Sequence, residues 1–324
     1  MKRFTQRIAI IGMTLLVTAA AHAAIVIPSN TPILYLSNRG GDTASSVPYA
    51  FNANTGALLG TFDVPGGGVT INTTSGMEIG PDGKLYIAQQ DSRNVLRYNL
   101  DGSNPEQVVA PGAGPNAEYD GIAFAPNGDM LVTYSGGVWK FDGPSYTTGS
   151  QFVAQTGVQF GIDLGSDGKF YVADRTNDLI RIYNDDGTTA GTYSITGPAA
   201  LQFAPDDSFL YVATGGAAQD LQRIAFDGAT LGAATMMLDT STGNRVGQMS
   251  FLNANTMFVP NGTGDNAARW ISNVLDNNDF ADKGTGLPTF ASTVFVPIPE
   301  PSTIGLLVCA AILLVPKVRR RSST

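Results

Sequence analysis

The sequence predicts an all-β chain made of repeated strand units, on three observations. The first is composition. The 324 residues include 38 Gly, and only 14% are charged, against about 7% Gly and about 25% charge in ordinary domains. Extra Gly with few charges suits tight turns between short strands rather than long solvated helices. The second is a recurring motif, Gly-φ-x-φ-x-Pro-Asp-Gly-x-φ-Tyr-φ-Ala, with φ an apolar residue. Its clearest copy runs from Gly76 to Ala88, with others at Gly121–Val132, Gly161–Ala173 and Ala200–Ala213, a fainter one at Met249–Val259, and a half copy at Ile33–Leu36. The third is spacing. Equivalent residues Leu34, Leu85, Met130, Phe170, Leu210 and Met257 are 51, 45, 40, 40 and 47 residues apart. Periods of about 40–50 with strand-turn-strand content mark β-propeller blades. Six copies predict six blades, with seven as the alternative if residues 272–296 hide degenerate strands.

Each element follows from the repeat. The Asp-Gly and Asn-Gly pairs at Asp82, Asn127 and Asp167 supply the positive φ of a two-residue hairpin turn. Third strands are expected at Val95–Tyr98, Val138–Phe141, Leu179–Tyr183, Leu221–Phe226 and Arg269–Ile271, and a less regular fourth strand fills each remaining interval. The first blade lacks an innermost strand of its own. Either Thr289–Val296 or Ile25–Ile27 is expected to supply it and close the ring, which removes exposed sheet edges.

The two ends read as addresses. Met1–Ala23 has a basic start, an apolar run from Ile8 to Ala20, and the small-x-small triplet Ala21-His22-Ala23, the layout of a secretory signal peptide. Residues 24–296 are then the propeller, and residues 297–324 a sorting and anchor segment. In the last segment Pro299-Glu300-Pro301 precedes the apolar run Ile304–Val315 and the basic cluster Arg319, Arg320 and Arg321. The apolar run spans about 20 Å as a helix, short for a bilayer core of about 30 Å. Extension to Val318 with snorkelling arginines narrows the gap. A basic end predicts a cytoplasmic C-terminus with the body outside the inner membrane.

This tail resembles the PEP-CTERM sorting signal of Gram-negative bacteria, with all three of its parts in order. The resemblance implies a membrane-embedded exosortase as processing partner, removal of the tail, and delivery to the cell surface or an extracellular polysaccharide matrix. The repeats in turn resemble the NHL-type and gluconolactonase-like propellers over about 180 residues. That fold hosts both enzymes and binders.

Composition narrows the chemistry. Cys309 is the only cysteine and His22 the only histidine, and both lie in the end segments. The body therefore has no disulfide, no His or Cys metal site, no Cys nucleophile and no His triad. A virginiamycin lyase-like mechanism, which uses histidine, is excluded with them. The formal net charge of −8 hides an asymmetry. Seven of the 19 Lys and Arg lie at the two ends, leaving 12 bases against 27 acids between them. Such an acidic body argues against nucleic acid as a partner.

Four candidate groups remain. Gluconolactonase-like enzymes hold a divalent metal at the ring centre with acidic and amide side chains, one in an Asp-Gly pair. Asp120-Gly121 matches that pair, but Ser75, Phe160, Ala199 and Gly247 stand at the other equivalent positions. One carboxylate is too few for a hard cation. Glu78 and Asp163 share one strand position, as a channel-lining polar pair or a general acid and base. Asp276-Asn277-Asn278-Asp279 with Asp282 reads as a solvated turn cluster without the glycine and distal glutamate of a calcium loop. Tyr35, Tyr86, Tyr171, Tyr211 and Trp139 recur at repeat positions and read as packing between blades. The expected function is a non-catalytic binding or structural propeller, without cofactor, exported and sorted through Pro299, Glu300, Pro301 and Arg319 to Arg321. The competing reading is a metal-dependent, lactonase-like hydrolase.

Overall fold

The computed structural model describes residue 25 and residues 31–37, 47–63, 65–66, 69, 71–155, 157, 159–215, 220–238, 247–253, 256–260, 266–271, 274–282 and 293–296. Strands come in fours. The first group is β1 (Ile33–Leu36), β2 (Tyr49–Asn52) and β3 (Leu58–Thr61). The next is β4 (Thr74–Ile79), β5 (Leu85–Gln89), β6 (Asn94–Tyr98) and β7 (Glu106–Val109). Then come β8 (Tyr119–Phe124), β9 (Met130–Tyr134), β10 (Gly137–Phe141) and β11 (Gly149–Ala154). They are followed by β12 (Gln159–Leu164), β13 (Phe170–Asp174), β14 (Leu179–Tyr183) and β15 (Thr189–Ser194). After these lie β16 (Pro198–Phe203), β17 (Phe209–Thr214), β18 (Leu221–Phe226) and β19 (Leu231–Leu238). The last are β20 (Ser250–Asn253), β21 (Thr256–Pro260), β22 (Asn266–Ile271), β23 (Val274–Asp282) and β24 (Thr293–Val296).

The predicted blade count needs correction. Five blades, not six or seven, are built from four consecutive strands each, in the orders β4 to β7, β8 to β11, β12 to β15, β16 to β19 and β20 to β23. The remaining four-stranded sheet is a composite, β24-β1-β2-β3, in which the C-terminal strand lies innermost. The region offered for a seventh blade is already used, by β23 at the outside of one sheet and by β24 inside another. Ile25 does not form an innermost strand either. Its N–H donates to the Asp101 carbonyl at 3.2 Å, and its side chain packs with Phe62 beneath the first two sheets. The segment expected to form a C-terminal helix falls outside the described residues, and no helix among the described residues is long and apolar enough to cross a membrane.

The hairpin turns also differ from expectation. Gly80 N–H donates to the Lys84 carbonyl at 2.9 Å, and Gly83 N–H returns to Gly80 at 2.9 Å. The loop is therefore three residues, Pro81-Asp82-Gly83, a type I turn closed by a left-handed residue. Gly83 has φ +73°, Gly128 +89° and Gly168 +74°, while the fourth copy places Asp207 there at +58°. The turn aspartate also anchors the blade. Asp82 Oδ1 accepts the Lys84 N–H at 3.2 Å and Oδ2 accepts the Tyr86 hydroxyl at 3.1 Å. Asp167 repeats this with Lys169 and Tyr171, both at 3.1 Å.

The core lies between sheets. Tyr86 stands edge-on to Phe124 of the next blade with ring centroids 4.9 Å apart, and Tyr171 does the same to Phe203 at 4.9 Å. Each sheet presents alternate side chains to each neighbour, so buried residues recur on both faces of the middle strands; β5, β9 and β13 are buried throughout. The recurrent tyrosines are packing residues, as their repetition suggested.

Candidate functional site

The innermost strands β4, β8, β12, β16, β20 and β24 surround the axis. At one position along them every side chain faces the same belt, because each residue pairs with the same place on its second strand. Glu78 pairs with Tyr86, Ala123 with Leu131, Asp163 with Tyr171 and Gln202 with Tyr211. Ser250 pairs with Phe258, and Val294 with Tyr35. The belt thus carries two carboxyl groups, an amide and a hydroxyl, with no base among them.

Why the strands come so close is written in the motif glycine. A Cβ on Gly121 would lie 2.5 Å from the Phe160 carbonyl oxygen of the next blade. Gly76 and Gly161 face the following blade in the same way, against Asp120 and Ala200. The glycine that opens the repeat therefore permits a narrow ring. Gln248 stands at the matching position of β20, where its side chain serves as a stub of strand. Its Nε2–H donates to the Met77 carbonyl at 3.0 Å, and its Oε1 accepts the Met77 N–H at 3.2 Å. Its own carbonyl accepts the Thr293 N–H at 2.9 Å. One residue so ties the last blade to the closing strand and to β4. Its replacement of the motif glycine was the signal that sequence reasoning passed over.

Glu78 and Asp163, which the sequence aligned, do interact across the channel. Asp163 is well supplied with donors: Leu164 N–H at 2.8 Å, Phe203 N–H at 2.7 Å and Gln202 Nε2–H at 3.1 Å. Among the described residues Glu78 accepts one hydrogen bond, from the N–H of Ile79 at 3.0 Å. Desolvation, and then the neighbouring Asp163 charge, push the Glu78 carboxyl up to about 8. Desolvation also raises Asp163, to about 7, against the opposing pull of its two backbone donors. With three donors on Asp163 and one on Glu78, the first negative charge of the pair settles on Asp163, and Glu78 keeps its proton at neutral pH.

Residues of β4, β16 and β24 and the Gln248–Phe251 segment line a cavity of about 380 Å³ at the axis. Glu78, Gln202 and Ser250 contribute polar groups, and Ile79, Phe203, Phe251 and Phe295 contribute apolar walls. Asp120 is not among its lining residues. Asp120 is buried, and its Oδ1 accepts the Gln90 amide and the Ser75 hydroxyl, the latter at 3.3 Å. Among the described residues no three His, Cys, Asp or Glu side chains gather as a metal site. The acidic run Asp276 to Asp279, expected in a turn, lies within β23, with Asp282 at that strand's end. Pro299, Glu300, Pro301 and Arg319 to Arg321, expected from the sequence to form a sorting motif, lie outside the described residues.

No family model and no curated protein matches this sequence. Solved structures do match in shape. A structure of a nidogen/laminin complex is 14% identical with a TM-score of 0.63, covering 83% of this chain and 99% of its own. A protein from Lactobacillus plantarum is 12% identical with a TM-score of 0.60, covering 82% and 99%. A streptogramin B lyase is 15% identical with a TM-score of 0.56, covering 84% and 89%. At these identities the likeness establishes a β-propeller fold and leaves the chemistry to the chain's own residues.

Proposed function

We propose that this chain is an exported surface or matrix protein whose propeller binds or scaffolds without catalysing a reaction, addressed by its tail to an exosortase-type processing enzyme. The observation that carries the reading is the order of parts in the last segment: a carboxylate bracketed by Pro299 and Pro301, then Ile304 to Val315, then Arg319 to Arg321. The two prolines hold an extended backbone and block helix around Glu300, which presents that carboxylate just outside the apolar run. The basic leader at the other end gives the same orientation, with the body outside.

The state of Asp120 supports the non-catalytic half. In the lactonase-like reading this carboxylate holds the metal among convergent oxygen ligands, whereas here Gln90 and Ser75 bond to it. Two experiments test the proposal. The variant Glu300→Ala keeps export and folding but leaves the chain uncleaved in the membrane, read by intact mass of the membrane and released fractions. An unchanged mass and location sinks the sorting address. Separately, the protein supplied with calcium, manganese or zinc gives no hydrolysis of simple aldonolactones above the buffer rate; turnover lost in Asp120→Asn restores the hydrolase.

A further inference from the structure

The channel cavity has an inventory of leftover groups that points to one kind of guest. Glu78 spends one oxygen on the Ile79 N–H and keeps the other as an acceptor. Gln202 spends its amide N–H on Asp163 and keeps its carbonyl oxygen. Gln248, which also lines the cavity, has both ends of its amide engaged with Met77. Ser250 supplies an independent observation. It is 8% exposed, lines the same cavity, and its buried hydroxyl has no hydrogen-bond partner. Buried polar groups are normally paired, so an orphan beside a cavity marks a place where a guest atom completes the bonding. The remaining wall is mostly apolar, with three phenylalanines, and no Lys, Arg or His is among the described residues that line the cavity.

We propose that this cavity binds a small primary amine, its ammonium head held by Glu78, Gln202 and Ser250 and its apolar body against Phe203, Phe251 and Phe295. An ammonium group has three N–H donors, matching three leftover oxygens, and it brings the positive charge that the belt lacks. A bare metal ion would leave the apolar walls uncovered, and an anion would face Glu78 and Asp163. The volume of about 380 Å³ lies in the range of small-molecule sites and accommodates a single-ring body. The site gives the binding role proposed above a location and a ligand class, and Asp120 is not part of its lining.

Amine binding is coupled to the belt's protons. The groups facing Glu78 are Asp163 on β12, Gln202 on β16, Ser250 on β20 and the apolar Ala123 and Val294, with Asp207 adding negative charge near Asp163. Glu78 keeps a proton in the empty channel, and an ammonium displaces it. The complex therefore releases a proton into the buffer at neutral pH.

The test is titration calorimetry on the full-length chain, with 2-phenylethylamine as probe and 2-phenylethanol as its neutral counterpart. The expected result is saturable amine binding at least tenfold tighter than the alcohol, with a heat that depends on the buffer's ionisation enthalpy. Glu78→Gln lowers amine affinity at least tenfold and abolishes that buffer dependence, while Ser250→Ala lowers affinity several-fold; circular dichroism checks that both variants fold. If Glu78→Gln fails to fold, the amine-to-alcohol ratio on the unmodified chain decides alone. Equal affinities, or no amine binding, overturns the assignment. That outcome leaves the tail-sorting reading standing, because its test reads mass and location rather than ligand.

Discussion

Replacing Glu78 by Gln makes a stability change whose sign depends on pH. An ordinary glutamate titrates near about 4.3, and the channel raises Glu78 to about 8 through desolvation and the neighbouring Asp163. Between those values the native state holds a proton that the unfolded chain has released. Stability therefore falls as pH rises across that window, with a slope of about 1.4 kcal/mol per pH unit for one proton. Taken over the whole window the gross effect is about 5 kcal/mol, an upper bound, because Glu78 sits in a water-accessible cavity and Asp163 takes the first charge. About 2 kcal/mol is the expected net difference between pH 5 and pH 8. Glutamine has nearly the same shape and no titration. Urea midpoints at pH 5 should be close for the two proteins, and at pH 8 the variant should be the more stable by about 2 kcal/mol. Fluorescence of the chain's two tryptophans follows the transition. Parallel pH profiles for both proteins would refute the argument, showing that Glu78 is ionised and solvated in the native channel.

Other perturbations read the ring and its turns. Gly121→Ala places a methyl 2.5 Å from the Phe160 carbonyl oxygen, and a loss of about 3 kcal/mol is expected in equilibrium denaturation. Gly83→Val puts a β-branched residue at φ +73° and should cost about 2 kcal/mol, whereas Asp207→Gly relieves the same conformation at +58°. That relief outweighs the lost bond from the Ser166 N–H at 3.2 Å and should gain about 0.5 kcal/mol, so calorimetric melting shifts of the same sign would contradict the turn assignment. A chain ending at Val296 should keep the cooperative thermal unfolding and protease resistance of the ring. One ending before Thr293 should lose both.

The repeat made most of the strands legible. Leu179–Tyr183 and Leu221–Phe226 occur with the predicted bounds, because alternating apolar residues between turn signals leave few other registers. The blade count was harder to read, since motif copies mark second strands while a blade's integrity depends on where its innermost strand comes from. Only contact in space distinguishes Thr293–Val296 from Ile25, and both are short apolar segments. The turn length was misread for a related reason: Asp-Gly reports a positive φ but not whether a residue before it belongs to the loop. For the site, period-two alternation placed Glu78 and Asp163 at one position, and their interaction follows from ring geometry. Gln248 was legible only as a break in the motif glycine, and the orphan hydroxyl of Ser250 was illegible, since a missing partner leaves no periodic trace. The acidic run from Asp276 to Asp279 misled because its composition is that of a loop while its pairing with β22 is that of an outer strand.

The closing strand joins the fold to the proposed sorting of the chain. β24 pairs with β1 along its whole length, from Thr293 with Leu36 to Val296 with Ile33. Its side chains fill the axis: Thr293 is fully buried and Val294 nearly so. Without it, β1 would present an open edge to the channel, and the Gln248 carbonyl would lose the Thr293 N–H that ties the last blade to the first sheet. Every one of those bonds is made by Val296, and Pro299 stands three residues further on. Only Pro297 and Ile298 separate Val296 from Pro299 of the proposed sorting motif. A processing enzyme acting at the motif would remove the tail without touching the ring. A cut only a few residues earlier would take the innermost strand with it.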